Sequence, residues 1–124
     1  PQGYYLGGNQ MALSPRAMLR FGEIVRQGGT LDGARVLSQR WLDASLEPRT
    51  RSRWSGLGYG YGRFLGRAGG GAVAIARGYG GQVIAVAPTA GMTVAITSDP
   101  TRPARSGGYF GDLMGLIDGL VSAV

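Results

Sequence analysis

The sequence predicts an α+β fold with an antiparallel sheet of about four strands, a C-terminal helix packed on that sheet and an N-terminal helix. Two observations support this prediction. Residues 72–98 hold three short runs rich in Val, Ile and Ala, and turn residues separate each run from the next. Residues 15–27 and the segment after about residue 109 instead place apolar side chains at helical spacing. Because short turns join the three runs, consecutive strands must be antiparallel.

The three runs are predicted to form an antiparallel meander. The turn between its first two strands is predicted at Gly80 and Gly81, since both residues accept positive φ without steric cost. The second turn is predicted at residues 88–91. Side chains alternate between the two faces of a strand, so the first strand has one face with almost no side-chain bulk. That face carries Ala72, Ala74, Ala76 and Gly78, and we expect another part of the protein to approach it closely.

The fourth strand is predicted from the alternation of glycine with larger residues at 56–62, together with Arg63, Phe64 and Leu65. Residues 69–71 are predicted to form the turn into the meander. The glycine spacing does not match the G-x-G-x-x-G pattern of dinucleotide-binding turns, and no helical pattern follows it. We therefore predict no dinucleotide site here.

The N-terminal helix is predicted over residues 15–27. Ser14 is suited to the N-cap, and Pro15 takes the first helical position, where its missing N–H costs nothing. Gly28 and Gly29 predict the C-terminal cap. The predicted apolar stripe of this helix is Met18, Phe21, Gly22 and Val25.

Residues 30–48 predict a small hairpin or loop turning at Asp32 and Gly33, and then a short helix. Ser38 is the predicted cap of that helix, which is expected to carry Trp41 and Leu42 toward the core. Residues 1–10 carry no helical or strand period and are predicted to be loop, and residues 99–103 are predicted to be a rigid polar connection.

The C-terminal helix is expected to cover one face of the sheet, while the N-terminal helix covers only part of the other. The small-residue face is then incompletely buried by this chain alone, which favours a partial fold or an obligate homo-oligomer joined through the exposed sheet face. The predicted stripe of the C-terminal helix is Phe110, Leu113, Met114, Ile117, Leu120, Val121 and Val124.

The composition excludes several classes of chemistry. The 124 residues contain no Cys, His or Lys, so a disulfide framework, a thiolate nucleophile, an imidazole base and an amine nucleophile are all absent. The seven acidic residues are scattered without a ligand spacing, and we predict neither a metal site nor a cofactor. No apolar run has the length of a membrane span, and no signal pattern is present. Because the chain does not begin with Met, we expect residues upstream of Pro1.

The net charge of +6 comes from arginine alone, and part of it lies in one cluster. Residues 49–53 hold three arginines with Trp54 alongside, and arginine interleaved with an aromatic residue can bind phosphates and stack on bases. Two further segments, 67–71 and 77–81, are similar to RGG repeats. A nucleic-acid-binding module is therefore one hypothesis. We rank it second, because RGG segments are normally disordered whereas residues 77–81 lie within well-patterned strands.

The chain resembles the C-terminal part of the serine hydrolases in the superfamily of class C β-lactamases, penicillin-binding proteins and esterases, including the 6-aminohexanoate-oligomer hydrolase branch. Four stretches carry the resemblance, and they cover nearly the whole chain in the order found in the family: GGNQMALSPRAMLRFGEIVRQGG, ARVLSQRWLDAS, GLGYGYGRFL and ARGYGGQVIAVAPTAGMTVAITSD. The resemblance implies a partial β-lactamase-like fold. It also implies that residues 1–124 are a single C-terminal segment of such a domain.

The family chemistry implied by this resemblance is acyl transfer by a serine in a Ser-x-x-Lys motif, assisted by a tyrosine in Tyr-x-Asn or Tyr-x-Ser. Neither motif is present, since the sequence has no Lys and no tyrosine is followed two positions later by Asn or Ser. We therefore expect both to lie in an N-terminal part of the same protein, upstream of Pro1. The first function hypothesis is thus the C-terminal piece of an esterase-type or amidase-type serine hydrolase, inactive alone.

A third family element, a Lys-Thr-Gly or His-x-Gly strand beside the substrate, is matched to Ala76, Arg77 and Gly78. On that register the backbone N–H of Tyr79 is the oxyanion donor, with Gly78 allowing close approach; a shifted register puts Arg77 where Lys or His usually stands. Arg77 either binds a substrate carboxylate or is an exposed charge at the strand end. The resemblance also implies substrate contacts by Gly80, Gly81 and Gln82.

Overall fold

The computed structural model describes residues 11–101 and 108–124. The loop predicted at residues 1–10 and the second part of the connection predicted at residues 99–103 lie outside the described residues.

The described residues form three helices and eight strands, which confirms the α+β class. The helices are α1 (Pro15–Arg26), α2 (Gln39–Ser45) and α3 (Tyr109–Ser122). The strands are β1 (Thr30–Leu31), β2 (Ala34–Arg35), β3 (Thr50–Arg51), β4 (Gly58–Tyr59), β5 (Phe64–Ala68), β6 (Gly71–Gly78), β7 (Gln82–Ala87) and β8 (Met92–Ile96). Within the described residues, no helix combines the length and apolar character needed to cross a membrane.

The main sheet is an antiparallel meander of six strands in the order β3-β4-β5-β6-β7-β8, and β1 and β2 pair separately. The prediction of about four strands was therefore too low. The segment expected to be one strand forms both β4 and β5, because the chain turns between them with Gly62 at φ +74°. The additional edge strand β3 has two residues, too few to show a period.

One face of the sheet packs against α3. Ile75 of β6 and Ile117 of α3 are both completely buried there. Of the predicted stripe of α3, Leu120 and Val124 are 42% and 82% exposed, so their assignment to the core was wrong. The buried residues are spaced four apart, as expected for a helix that rests on the sheet along a narrow line. This core contains Ala68, Val73, Ile75, Val83, Ala85, Ala87, Leu113, Ile117 and Val121.

The opposite face packs against α1, which begins and ends close to the predicted positions. The Ser14 hydroxyl accepts a hydrogen bond from the Ala17 N–H at 3.2 Å, which confirms the predicted N-cap. Gly22 allows α1 to lie close to the sheet, since a Cβ there would lie 2.5 Å from Cγ2 of Thr93 and 2.9 Å from Cγ2 of Ile84. The core on this side contains Met18, Val25, Leu42, Ile84 and Val86.

Two aromatic side chains predicted to be in the core are instead half-exposed. Phe21 of α1 is 46% exposed, and Trp41 of α2 is 49% exposed. Trp41 stacks on Tyr61, with ring centroids 5.4 Å apart. The helical period correctly identifies which side of each helix faces the sheet. It does not show which residues near the edge of that side are left uncovered by the sheet. Ser38 caps α2 as predicted, and its hydroxyl accepts a hydrogen bond from the Trp41 N–H at 3.2 Å.

The small-residue face of β6 is approached by α1 and by the side chain of Arg63, which lines the same small cavity as Ala74 and Ala76. Arg63 donates a hydrogen bond from Nη1 to the buried Ser45 hydroxyl at 2.5 Å, and burial lowers the pKa of its guanidinium. Ala74 is buried and Ala76 half-buried, whereas Ala72 and Gly78, near the two ends of β6, are exposed. The described residues therefore cover only the middle of this face.

We expect Gly22→Ala to lower the free energy of unfolding by about 1–3 kcal/mol, because the added methyl group overpacks the contact between α1 and β8. Chemical denaturation measures this change. The matched control is Gly115→Ala in α3, where a Cβ would meet nothing within 4 Å. That control is expected to stabilise by roughly 0.5–1 kcal/mol, the usual gain from Gly to Ala in a helix. Equal stabilisation by both variants would contradict the close packing.

Acid is expected to weaken the link between α1 and β8 at Glu23. Hydrogen bonds from Arg26 and from Thr93, whose hydroxyl lies 2.6 Å from Oε1, lower the pKa of Glu23 from 4.5 to about 2. Because the folded pKa is below the ordinary value, the stabilisation is present above pH 4.5 and is lost as the pH falls toward 2. The difference in unfolding free energy between the wild type and Glu23→Gln should therefore shrink over that range. Glu47→Gln controls for loss of one carboxylate, and a pH-independent difference for Glu23→Gln would count against the link.

Candidate functional site

A cleft of about 750 Å³ opens where the β6–β7 turn, the β3–β4 connection and the first turn of α3 meet. We call it the hairpin cleft. It lies on the α3 side of the sheet, since Phe64 and Ile75 are register partners and share that face. Its lining residues are Ser52, Trp54, Phe64, Arg77, Gly78, Tyr79, Gly80, Gly81, Gly108, Tyr109, Phe110 and Leu113.

The β6–β7 turn has three residues, Tyr79, Gly80 and Gly81, because Gly78 pairs with Gln82. The turn is thus one residue longer than the predicted pair of glycines. Gly80 and Gly81 have φ values of +75° and +85°, which are unfavourable for residues with a Cβ. A Cβ on Gly81 would also lie 2.6 Å from Cε1 of Tyr109. The turn therefore requires glycine for its backbone conformation and for its contact with α3.

A hydrogen-bond network holds this turn against β8 and α3. The Ser98 hydroxyl donates to the carbonyl of Gly81 at 2.9 Å, and its oxygen lies 2.8 Å from the hydroxyl of Tyr109. The Gln82 amide donates to the carbonyl of Ser98 at 2.7 Å and accepts from the Ser98 N–H at 3.3 Å. Gln82 was predicted to contact substrate, but it does not line the cleft. In the described structure its side chain instead fixes the position of the turn.

Arg77 brings a positive charge to the wall of the hairpin cleft. Its guanidinium carbon lies 4.0 Å from the centroid of the Phe110 ring, a cation–π distance that fixes the direction of an otherwise exposed side chain. Among residues 11–101 and 108–124, no ion pair involves Arg77. The guanidinium edge is thus available for a carboxylate, for which the planar Arg fork is suited.

Aromatic side chains supply much of the remaining lining. Trp54 is 96% exposed and Tyr79 is 67% exposed, and both line the cleft together with Phe64 and Tyr109. Exposed aromatic rings around one cation are suited to a flat ligand that carries a negative charge. The Ser52 hydroxyl accepts hydrogen bonds from the backbone N–H groups of Trp54 and Ser55, at 3.3 and 3.2 Å, and so shapes the loop that carries Trp54.

Among the described residues, the lining of the cleft can bind a ligand but contains no carboxylate, imidazole or amine that could act as a general base. The described hydroxyl groups in the lining belong to Ser52, Tyr79 and Tyr109. The sequence contains no His, Lys or Cys to deprotonate a hydroxyl or to act in its place. Within the part of the chain that the structure describes, no group of three or more His, Cys, Asp or Glu side chains could hold a metal ion.

The structure brings five of the six predicted site residues into one cleft and leaves Gln82 outside its lining. Sequence reasoning missed Trp54, Tyr109 and Phe110 as partners of this site. Trp54 was visible as an aromatic residue in an arginine-rich loop, but it was grouped with residues 49–53. The strand register separates Arg51 from Trp54. Arg51 pairs with Gly58 and lies on the α1 side of the sheet, whereas Trp54 lines the cleft on the α3 side. No signal in the sequence placed the first turn of α3 beside β6.

No family model matches the chain, and no curated protein matches it significantly. The case for function therefore depends on the geometry of the hairpin cleft and on the stretches quoted above.

We expect Gly81→Ala to lower the free energy of unfolding by about 2 kcal/mol or more, because it combines positive φ with a collision against Tyr109. Thermal or chemical unfolding measures the loss. Gly33→Ala is the matched control, since Gly33 has φ +81° and a Cβ there would meet nothing within 4 Å. Only the backbone cost, about 1–2 kcal/mol, is expected for the control. Equal losses would show that the contact with Tyr109 contributes nothing.

Proposed function

We propose that this chain forms the substrate-binding wall of an esterase-type or amidase-type serine hydrolase of the β-lactamase superfamily, and that it is inactive alone. The observation that carries the proposal is the position of Arg77. Its guanidinium is fixed over Phe110 in a cleft that ends at a glycine turn and in which the described residues supply no carboxylate, imidazole or amine base. Such a cleft recognises an acyl compound without cleaving it.

The proposed substrate carries a carboxylate and a flat apolar group. Arg77 binds the carboxylate through two N–H donors, and the rings of Trp54 and Tyr79 contact the flat group. On the register that the resemblance implies, the backbone N–H of Tyr79 donates to the carbonyl oxygen as negative charge develops on it. In a complete enzyme, loss of one such donor costs about 3 kcal/mol of transition-state stabilisation.

The nucleophile must come from other residues of the same protein, because a Ser-x-x-Lys motif cannot occur in a sequence without Lys. We propose that the part carrying it meets this chain at the exposed rim of the hairpin cleft, at Gly78 and Tyr79, where it can reach a substrate held by Arg77. A homo-oligomer joined through the exposed sheet face is the alternative. The coding sequence upstream of Pro1 tests the first version. An in-frame Ser-x-x-Lys followed by Tyr-x-Asn or Tyr-x-Ser would support it, and a start codon directly before Pro1 would contradict it.

We expect Arg77→Gln to weaken binding of 4-nitrobenzoate by about tenfold or more, since a hydrogen bond between charged groups contributes roughly 1.5–3 kcal/mol. Quenching of Trp54 fluorescence measures binding when Trp41, the other tryptophan, is replaced by Phe in every variant.

Two controls separate charge recognition from loss of structure. Neutral 4-nitrobenzamide should bind the wild type and Arg77→Gln equally, because it lacks the carboxylate. Arg16→Gln removes one positive charge at an exposed position on α1, outside the cleft, and should leave the binding of 4-nitrobenzoate unchanged. An unchanged affinity of Arg77→Gln for 4-nitrobenzoate would overturn the role of Arg77 in carboxylate binding. Ester turnover by the pure chain would overturn the proposed inactivity.

A further inference from the structure

A second concave surface, of about 690 Å³, lies over β3, β4 and β5. We call it the arginine groove. Arg51, Gly58 and Leu65 are successive register partners, and this row continues to Ala74 and Val86 on the α1 side of the sheet. The charged wall of the groove therefore faces away from the hairpin cleft. Its lining residues are Pro48, Arg49, Thr50, Arg51, Gly56, Leu57, Gly58, Leu65, Gly66 and Arg67.

Two of the three arginines that line this groove form no ion pair with the described residues. Arg51 donates to the carbonyl of Gly56 at 3.2 Å, and Arg67 donates to the carbonyl of Gly70. Neither arginine forms an ion pair within residues 11–101 and 108–124. Arg49 is more engaged, since it pairs with Glu47 at 3.3 Å and lies 5.1 Å from the centroid of Tyr61.

The register places Arg51 and Arg67 on the same face of the sheet, with Gly58 of β4 and Leu65 of β5 between them. Arg67 is on the same face of β5 as Leu65, two residues further along, and β4 lies between it and Arg51 with Gly58 at the pairing position. From standard strand spacings the two Cα atoms are roughly 12 Å apart. Arginine side chains are long enough for both guanidinium groups to reach neighbouring anionic groups of one chain lying over Pro48 and Leu65.

The lining also indicates which kind of anion fits. Guanidinium groups bind phosphate oxygens bidentately, and a net charge of +6 attracts polyanions. Aromatic side chains, which would stack on nucleic-acid bases, are absent from the residues that line the groove in the described structure. We propose that the arginine groove binds a linear oligophosphate, a chain of phosphate groups without bases. This site is separate from the proposed acyl-binding cleft.

Calorimetric titration of the whole chain with inorganic tripolyphosphate at low ionic strength tests the proposal. The double variant Arg51→Gln with Arg67→Gln is expected to lose at least about tenfold in affinity, because two charge-assisted contacts are removed. The matched control is Arg16→Gln with Arg40→Gln, which removes the same charge at two exposed positions outside the groove. A loss of less than about threefold is expected for the control, and equal losses in the two variants would overturn the proposal.

Two further measurements keep the test decisive. If the groove variant does not fold, backbone amide shifts of the wild type should move around Gly56, Gly58 and Gly66 on adding tripolyphosphate, and shifts confined to other regions would overturn the proposal. A thymidine oligonucleotide of equal charge is the second ligand. Weaker binding than tripolyphosphate is expected, and binding more than about tenfold tighter would assign the groove to nucleic acid instead and overturn the proposal.

Discussion

Burial of β7 between two helices is the constraint on which the rest of the structure depends. Val83, Ala85 and Ala87 face α3, whereas Ile84 and Val86 face α1. Burying a Val or Ile side chain contributes about 1.5–3 kcal/mol, so a strand buried on both faces is a large share of the stability of a small domain. The strands β6 and β8 must then pair closely with β7 on its two sides. Short turns therefore connect β7 to them at its two ends. The hairpin cleft is located where one of these turns meets α3.

The same packing connects the core to the site. The helix α3 covers the sheet through its buried stripe, and this fixes Tyr109 and Phe110 at its first turn beside the end of β6. Tyr109 joins Ser98 and the carbonyl of Gly81, and Phe110 lies under the guanidinium of Arg77. The direction of the Arg77 side chain therefore depends on helix packing. Changes deep in the α3 core are expected to shift Tyr109, Phe110 and Arg77 together.

Local sequence signals predicted much of the fold. Caps at Ser14 and Ser38, the turn at Asp32 and the three strands of the meander are encoded by neighbouring residues, and all are present. The two-residue strand β3 was missed, because so short a segment has no period. The exposure of Trp41 was also missed, and so was its contact with Tyr61, a residue far along the chain that no local pattern connects to α2.

The site was predictable only where it is continuous in sequence. Arg77, Gly78 and the three turn residues follow one another, and all five line the cleft. Trp54 and Tyr109 reach the cleft through the pairing of β3 with β4 and through the packing of α3, which no local pattern encodes. The contact of Gln82 with substrate was implied by the resemblance, whereas in the described structure the Gln82 side chain binds the backbone of Ser98. The measurement that most directly tests the central claim is an amide and indole shift map of the chain titrated with 4-nitrobenzoate. The account predicts shifts at the β6–β7 turn, the Trp54 indole and the first turn of α3, and shifts confined to the arginine groove would contradict it.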